Sequence, residues 1–156
     1  MGKRVFWPKA TFFCAVAAFA ASTTSASALP TCLANDRPLD VNDSQVEGWE
    51  DTSNNNFRAR AHVKGSVIAI FADQTGHKHF SVQIGATTKD AIEVIYNQSF
   101  GPLTTLAIGA DVEACGDYIS DRSAPDKAIL HWVHKSDTPS HPAGYVAING
   151  VLYGQN

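Results

Sequence analysis

The chain has 156 residues and a formal net charge of −3, with 12 basic and 15 acidic side chains. Three of the basic residues and none of the acidic ones lie in the first 28 residues, so the remaining 128 residues carry nine positive and fifteen negative charges, a net charge of −6. Binding to nucleic-acid phosphate depends largely on Lys and Arg, and an acidic domain of this size is therefore poorly suited to a nucleic-acid partner.

Residues 1–28 have the pattern of a signal peptide. Lys3, Arg4 and Lys9 precede an apolar run over residues 11–21, and Ala26, Ser27 and Ala28 form the small-x-small motif of a cleavage site. The run is shorter than the roughly 20 apolar residues of a membrane span, and no later segment reaches that length. We predict that the leader is removed and that the protein is exported, to the periplasm or the medium.

Residues 29–60 are mostly polar and predict an irregular N-terminal arm with one short helix over residues 43–50, interrupted by Gly48. Cys32 and Cys115 are the two cysteines that remain after the leader. In an oxidising compartment an even pair in a small domain is usually a disulfide, so we predict that Cys32 ties the arm to the core. Two thiolate metal ligands are the alternative, and they would need reducing conditions.

Residues 61–156 read as one β domain. Runs with strand patterning alternate with turn signals, and a Gly within the first run predicts a bulge or sharp bend there. The Asn149-Gly150 pair between two short runs predicts a C-terminal hairpin. Together these features predict a small five-stranded OB-like barrel, with a small β-sandwich as the alternative. The five principal strands are predicted over residues 61–72, 77–84, 91–97, 112–119 and 128–135.

Histidine is the side chain most ready to bind a metal or move a proton near neutral pH, and three of the six histidines lie within residues 131–141, beside Trp132. His77 and His79 are two apart in a strand and face the same side. His131 and His134 are three apart, so they can act together only if the strand ends or bulges between them. The predicted metal ligands, for Zn or Cu, are His77, His79, His131 and His134.

Other kinds of site have less support. The chain contains no Gly-x-Ser-x-Gly motif, no phosphate-binding Gly loop and no dinucleotide motif. Glu113 and Asp117 are predicted on the outer face of a strand, where acidic side chains are mostly solvated. Each histidine taken alone is also compatible with a structural role, His62 most of all.

The chain from about Cys32 onward resembles a family of exported bacterial proteins that is classed as a domain of unknown function. The most specific shared element is His-Trp-x-His. The chain departs from the family pattern at Tyr96, Lys135 and residues 136–137. The resemblance implies an exported, barrel-like domain, with Asn97, Trp132 and His141 joining His77, His131 and His134 as candidate site residues. The matching segments are residues 77–80, 96–97, 109–118, 131–134 and 141–146.

Two functions from different classes follow. The first is a non-catalytic binding domain in which the histidines and Trp132 hold a metal ion or a small or polymeric ligand. The second is a metal-dependent hydrolase, for example of phosphodiesters, in which histidine-bound zinc activates a water molecule. A catalytic zinc site normally has three protein ligands, and the sequence shows no obvious set of three with a carboxylate base, so the binding function is favoured.

Overall fold

A computed structural model describes residues 1–2, 28–136, 138 and 141–156. The predicted signal peptide lies almost wholly outside these residues. No helix in the described part of the chain is long and apolar enough to cross a membrane.

Five strands close into a barrel. They are β3 (Arg58–Ile70), β4 (His77–Gln83), β5 (Ala91–Asn97), β6 (Asp111–Ser120) and β7 (Ala128–His131). Their order is β3-β4-β5-β7-β6, and β6 pairs back onto β3 to complete the ring. All neighbours are antiparallel except β5 and β7, which are parallel. The mainly β, OB-like prediction is confirmed, and the sandwich alternative is not what the chain forms.

The first barrel strand is long because it serves two neighbours. Residues 58–66 of β3 pair with β6, and residues 66–70 pair with β4, with a register shift between Val67 and Ala69. A Cβ on Gly65 would lie 1.9 Å from the Gln83 carbonyl oxygen, so only glycine fits where the strand bends. The strand starts three residues earlier than predicted, because Arg58 and Arg60 alternate with alanines, whose small side chains give only a weak apolar signal.

The barrel interior is filled by the alternate residues of each strand, as period-two patterning requires. Its largest fully buried side chains include three from the middle strands, Phe80, Ile92 and Tyr96, together with Tyr118 and Leu130. The histidines of β4 therefore point to the outer face, opposite this core.

The N-terminal arm contains two short strands, β1 (Leu33–Ala34) and β2 (Arg37–Pro38), and one helix, α1 (Asp43–Thr52). The helix packs Val46 and Trp49 onto the core. A disulfide joins Cys32 to Cys115 in β6, which confirms the predicted link between the arm and the barrel.

The C-terminal hairpin consists of β8 (Tyr145–Ile148) and β9 (Val151–Tyr153), as predicted. Asn149 and Gly150 between them have φ angles of 49° and 77°, the left-handed conformation that an Asn-Gly turn adopts readily. β8 pairs with the first half of β6, beyond the end of β7. The hairpin therefore extends the sheet beside the point where β7 stops.

Candidate functional site

Strand β7 ends at His131, four residues before the predicted end, because Trp132 leaves the strand with a φ of 57°. A left-handed backbone is uncommon for a bulky residue and costs on the order of 1–3 kcal/mol. The carbonyl group of Trp132 lies so close to Gly144 that a Cβ there would be 2.1 Å from the oxygen. The strand thus ends between His131 and His134, which is the condition under which both can belong to one site.

The indole of Trp132 is surrounded by three imidazoles. His141 stacks on it with ring centroids 4.3 Å apart and planes at 14°. The centroids of His131 and His134 lie 5.1 Å and 5.8 Å from that of Trp132. We call these four residues together with His77 the histidine–tryptophan cluster. All five are partly exposed.

His131 also faces His77, which comes from β4 on the far side of β5. Their ring centroids are 5.9 Å apart. Nδ1 of His77 donates to the Thr75 carbonyl oxygen at 3.1 Å, which leaves its Nε2 with a free lone pair. The ring nitrogens of His131 make no hydrogen bond to any residue in the described part of the chain. These two imidazoles are therefore available to a ligand.

Burial lowers the pKa of His131 to about 4, and the neighbouring His77 and His134 add to the effect because they would repel a second positive charge. Asp117, which is paired with His131 across β6 and β7, acts in the opposite direction. His131 is consequently a neutral imidazole near pH 7.

His79 has a different partner. Its Nδ1 lies 2.7 Å from Oε1 of Glu93 on β5, and both side chains are nearly buried, at 11% and 7% exposed. It therefore belongs to a hydrogen-bonded pair on the outer face, where it fixes β4 to β5.

Two further predicted residues make local structural contacts. Nδ1 of His134 donates to the Lys135 carbonyl oxygen, 2.7 Å away, and the ring stacks on Phe100 with centroids 4.1 Å apart. Because a carbonyl can only accept, Nδ1 carries the proton. Asn97 accepts a hydrogen bond from the Ser99 amide and caps the short 3-10 helix Gln98–Phe100. Asn97 lies opposite His77 in the pairing of β4 with β5, and no hydrogen bond joins its side chain to the cluster among the described residues.

The loop that carries His141 is held by Arg60 and Asp117, two residues that were not among the predicted site residues. Asp117 lies 3.5 Å from Nδ1 of His141 and 2.6 Å from Nη1 of Arg60. Arg60 also donates to the carbonyl oxygens of Leu33 and Ala143. This network connects the arm, β6 and the His141 loop.

Glu113 and Asp117 lie on the outer face of β6 as expected, but both are partly buried and paired with other side chains. Glu113 lies 3.1 Å from Nε2 of His62 and 3.2 Å from the hydroxyl of Tyr145, and its exposed fraction is 22%. These hydrogen bonds lower the pKa of Glu113 despite its partial burial, which acts to raise it. The structural role expected for His62 is confirmed, since its Nδ1 also donates to the Leu39 carbonyl. Pairing of this kind depends on strand register, which sequence patterning does not show.

The four predicted metal ligands do not converge on one point. Only His77 and His131 face each other, and no three His, Cys, Asp or Glu side chains in the described part of the chain are placed to share a metal ion. A cavity of about 170 Å³ lies on the other side of the cluster, against Trp132, His134 and His141. The arrangement thus offers a pair of imidazoles and an aromatic wall rather than a closed metal cage.

Comparison with known families and proteins gives one match. A comparison with curated proteins finds no match. Residues 28–154, nearly the whole chain after the predicted leader, match a family described as "Protein of unknown function (DUF3465)". The chain belongs to this family.

Proposed function

We propose that this chain is an exported, non-catalytic binding domain whose ligand is held by the histidine–tryptophan cluster. The observation that carries the proposal is the left-handed backbone at Trp132, which places one indole among three imidazoles on the outer face of the barrel. Strained backbone at a bulky residue is found mainly where a site requires it. The turn at Trp132 also serves the fold, because β6 pairs with β7 only over residues 117–120 and with β8 over residues 112–115, so β7 must leave β6 at this point.

The ligand that best fits the paired imidazoles is a transition-metal ion, alone or carried by a small molecule. Imidazole nitrogen suits Zn²⁺, Cu²⁺ and Ni²⁺, and two ligated imidazoles have centroids about 5–6 Å apart when each Zn–N bond is about 2.0–2.1 Å. The 5.9 Å between His77 and His131 lies in that range. Water or a ligand atom would complete the coordination, and the face of Trp132 would pack beside it.

Export is supported by two independent features. One is the signal-peptide pattern of residues 1–28. The other is the disulfide between Cys32 and Cys115, a bond that persists mainly in oxidising compartments.

A metal-dependent hydrolase would need a third protein ligand and a general base. The described residues bring two imidazoles together, and the nearest carboxylates are already committed, Glu93 to His79 and Asp117 to Arg60. The geometry therefore supports binding better than hydrolysis.

The test is calorimetric titration of the disulfide-bonded protein, residues 29–156, with Zn²⁺, Cu²⁺ and Ni²⁺. We expect micromolar binding, tightest for Cu²⁺, and its loss in the His77→Ala/His131→Ala variant. His79→Gln, which keeps a donor for Glu93, is the matched control and should bind as the unmodified protein does. Affinity that is absent, or equal in the double variant, would refute the proposal.

A further inference from the structure

A second feature, independent of the histidine–tryptophan cluster, lies where α1 meets the barrel. The helix and two loops, residues 84–90 and 121–127, enclose a cleft of about 630 Å³. Five carboxylates line it, and the two lysines beside them are Lys89 and Lys127. The acidic residues are Glu47, Glu50, Asp51, Asp90 and Asp126.

Glu50 differs from the other acids of the cleft in having a buried oxygen without a partner. Its Oε1 is buried and makes no hydrogen bond, and its carboxylate forms no ion pair with any residue that the structure describes. A buried charge without a partner is costly, and in proteins such a group neutralises instead. A proton on Glu50 is the simplest way to remove that cost.

Two of the other acids of the cleft accept hydrogen bonds. Asp126 accepts a hydrogen bond from the Ser81 hydroxyl, and Asp90 accepts one from the Thr87 amide at 2.7 Å. The carboxylate of Glu47 lies so close to Gly85 that any Cβ at that position would collide with it. Helix α1 therefore lies against loop 84–90 through Glu47, and it faces Asp126 of loop 121–127 through Glu50.

Four other acids face Glu50 from its own helix and from the two loops. Asp126 faces it from loop 121–127, Asp90 from loop 84–90, and Glu47 and Asp51 from its own helix. Tyr118 faces it from β6, and Arg122 and Lys127 line the adjoining cavity. Burial, followed by repulsion from these four acids with Asp126 the largest, raises the pKa of Glu50 to about 8.

We propose that Glu50 is a proton-operated latch that keeps α1 closed on loops 84–90 and 121–127. With the proton in place, the helix lies against both loops and Oε1 of the neutral acid is kept from solvent. When the proton leaves, five negative charges share the cleft, the two loops separate from the helix, and water reaches the carboxylate.

The fluorescence of Trp49, the neighbour of Glu50, should show whether α1 is closed on the two loops. Its indole packs against Tyr118 and Phe57, with ring centroids 5.2 Å and 5.6 Å apart. Trp7 lies in the leader, so Trp132→Phe leaves Trp49 as the single tryptophan of residues 29–156. Opening of the cleft should move its emission to longer wavelength.

The experiment follows Trp49 emission in the Trp132→Phe protein from about pH 6 to about pH 9, with far-UV circular dichroism to confirm that the barrel stays folded. We expect one transition with its midpoint at about pH 8, absent when Glu50→Gln is added. Glu47→Gln, a change of the same charge on the same helix, is the control and should keep the transition at a lower midpoint. No transition, or one of equal size with Glu50→Gln, would overturn the latch.

A second measurement does not depend on the Glu50→Gln protein folding. In the folded state Glu50 keeps a proton that it loses in the unfolded chain above its usual pKa of about 4.5. The contribution of Glu50 to the free energy of unfolding is therefore fully present below that pH and falls as the pH rises toward 8. The unfolding equilibrium of the wild type should shift by at most tenfold per pH unit over this window. Asp126→Asn should lower the pKa of Glu50 in the folded state, so the fall in stability should end at a lower pH than in the wild type. An unchanged dependence of stability on pH in that variant would contradict the proposal.

Discussion

Replacing both Cys32 and Cys115 with alanine removes a cross-link between residues 83 positions apart. The chain-entropy account of disulfides gives about 4–5 kcal/mol for a loop of this length, within a general range of about 2–5 kcal/mol. Small domains have a total free energy of unfolding of about 5–15 kcal/mol. The bond between the arm and β6 therefore supplies a substantial share of the stability.

Other contacts should keep the arm in place when the bond is absent. Arg60 Nε donates to the Leu33 carbonyl at 3.1 Å, and Asn42 and His62 exchange two hydrogen bonds at 2.8 and 2.9 Å. Because these contacts remain in the folded state, the loss of stability comes mainly from the greater conformational freedom of the unfolded chain without the cross-link. Alanine is the right replacement, since both cysteines are buried and a serine hydroxyl would add a polar group to an apolar cluster.

Equilibrium urea denaturation, followed by far-UV circular dichroism, measures the effect. Three samples are compared: the oxidised protein, the same protein in reductant, and the double alanine variant. We expect both samples without the bond to unfold at clearly lower urea concentration than the oxidised protein, and to lie close to each other. Midpoints equal to that of the oxidised protein, with equal slopes, would refute the reasoning.

Three more predictions follow from single contacts. Gly144→Ala places a Cβ 2.1 Å from the Trp132 carbonyl oxygen and 2.4 Å from that of Cys115, so it should lower the free energy of unfolding by about 2–3 kcal/mol or more. Gly48→Ala, in a helix and with no atom within 4 Å of the new Cβ, should raise the free energy of unfolding by about 0.5–1 kcal/mol. Urea denaturation measures both effects, and equal effects would contradict the contacts at Gly144. Asp117→Asn weakens the Arg60 pair and should cost about 1–3 kcal/mol and shift the NMR signals of His141, while Asp111→Asn, exposed on the same strand, should stay within about 0.5 kcal/mol. Because burial lowers the pKa of His131 to about 4, its NMR signals in chelator-treated protein should show a neutral ring at pH 5. The contribution of this neutral ring to the free energy of unfolding should be present above about pH 6.5 and lost as the pH falls toward 4. An NMR titration of His131 with its midpoint near pH 6.5 would contradict this.

The barrel could be predicted because its signals are local. Alternation of polar and apolar residues along β4 and β5 fixes which side chains face the core, and Asn149-Gly150 fixes the hairpin turn. The disulfide followed from compartment and from the count of two cysteines. These inferences need no knowledge of which strand lies beside which.

The partners of the polar side chains could not be predicted, because they depend on register. His79 meets Glu93 only because β4 and β5 pair as they do, and Arg60 meets Asp117 across 57 residues of sequence. The buried oxygen of Glu50 depends on two loops that close over α1. In the same way the early end of β7 comes from Trp132, whose backbone conformation no residue preference favours.

The central claim, that the histidine–tryptophan cluster is the binding site, is tested most directly by the fluorescence of Trp132. A Trp49→Phe variant of residues 29–156 has Trp132 as its single tryptophan, and the indole lies 5.1 Å from the His131 ring. Titration with Cu²⁺ should quench it in a saturable way at micromolar concentration, and the quenching should disappear when His77→Ala and His131→Ala are added. Quenching that does not saturate, or that is the same without the two histidines, would contradict the claim.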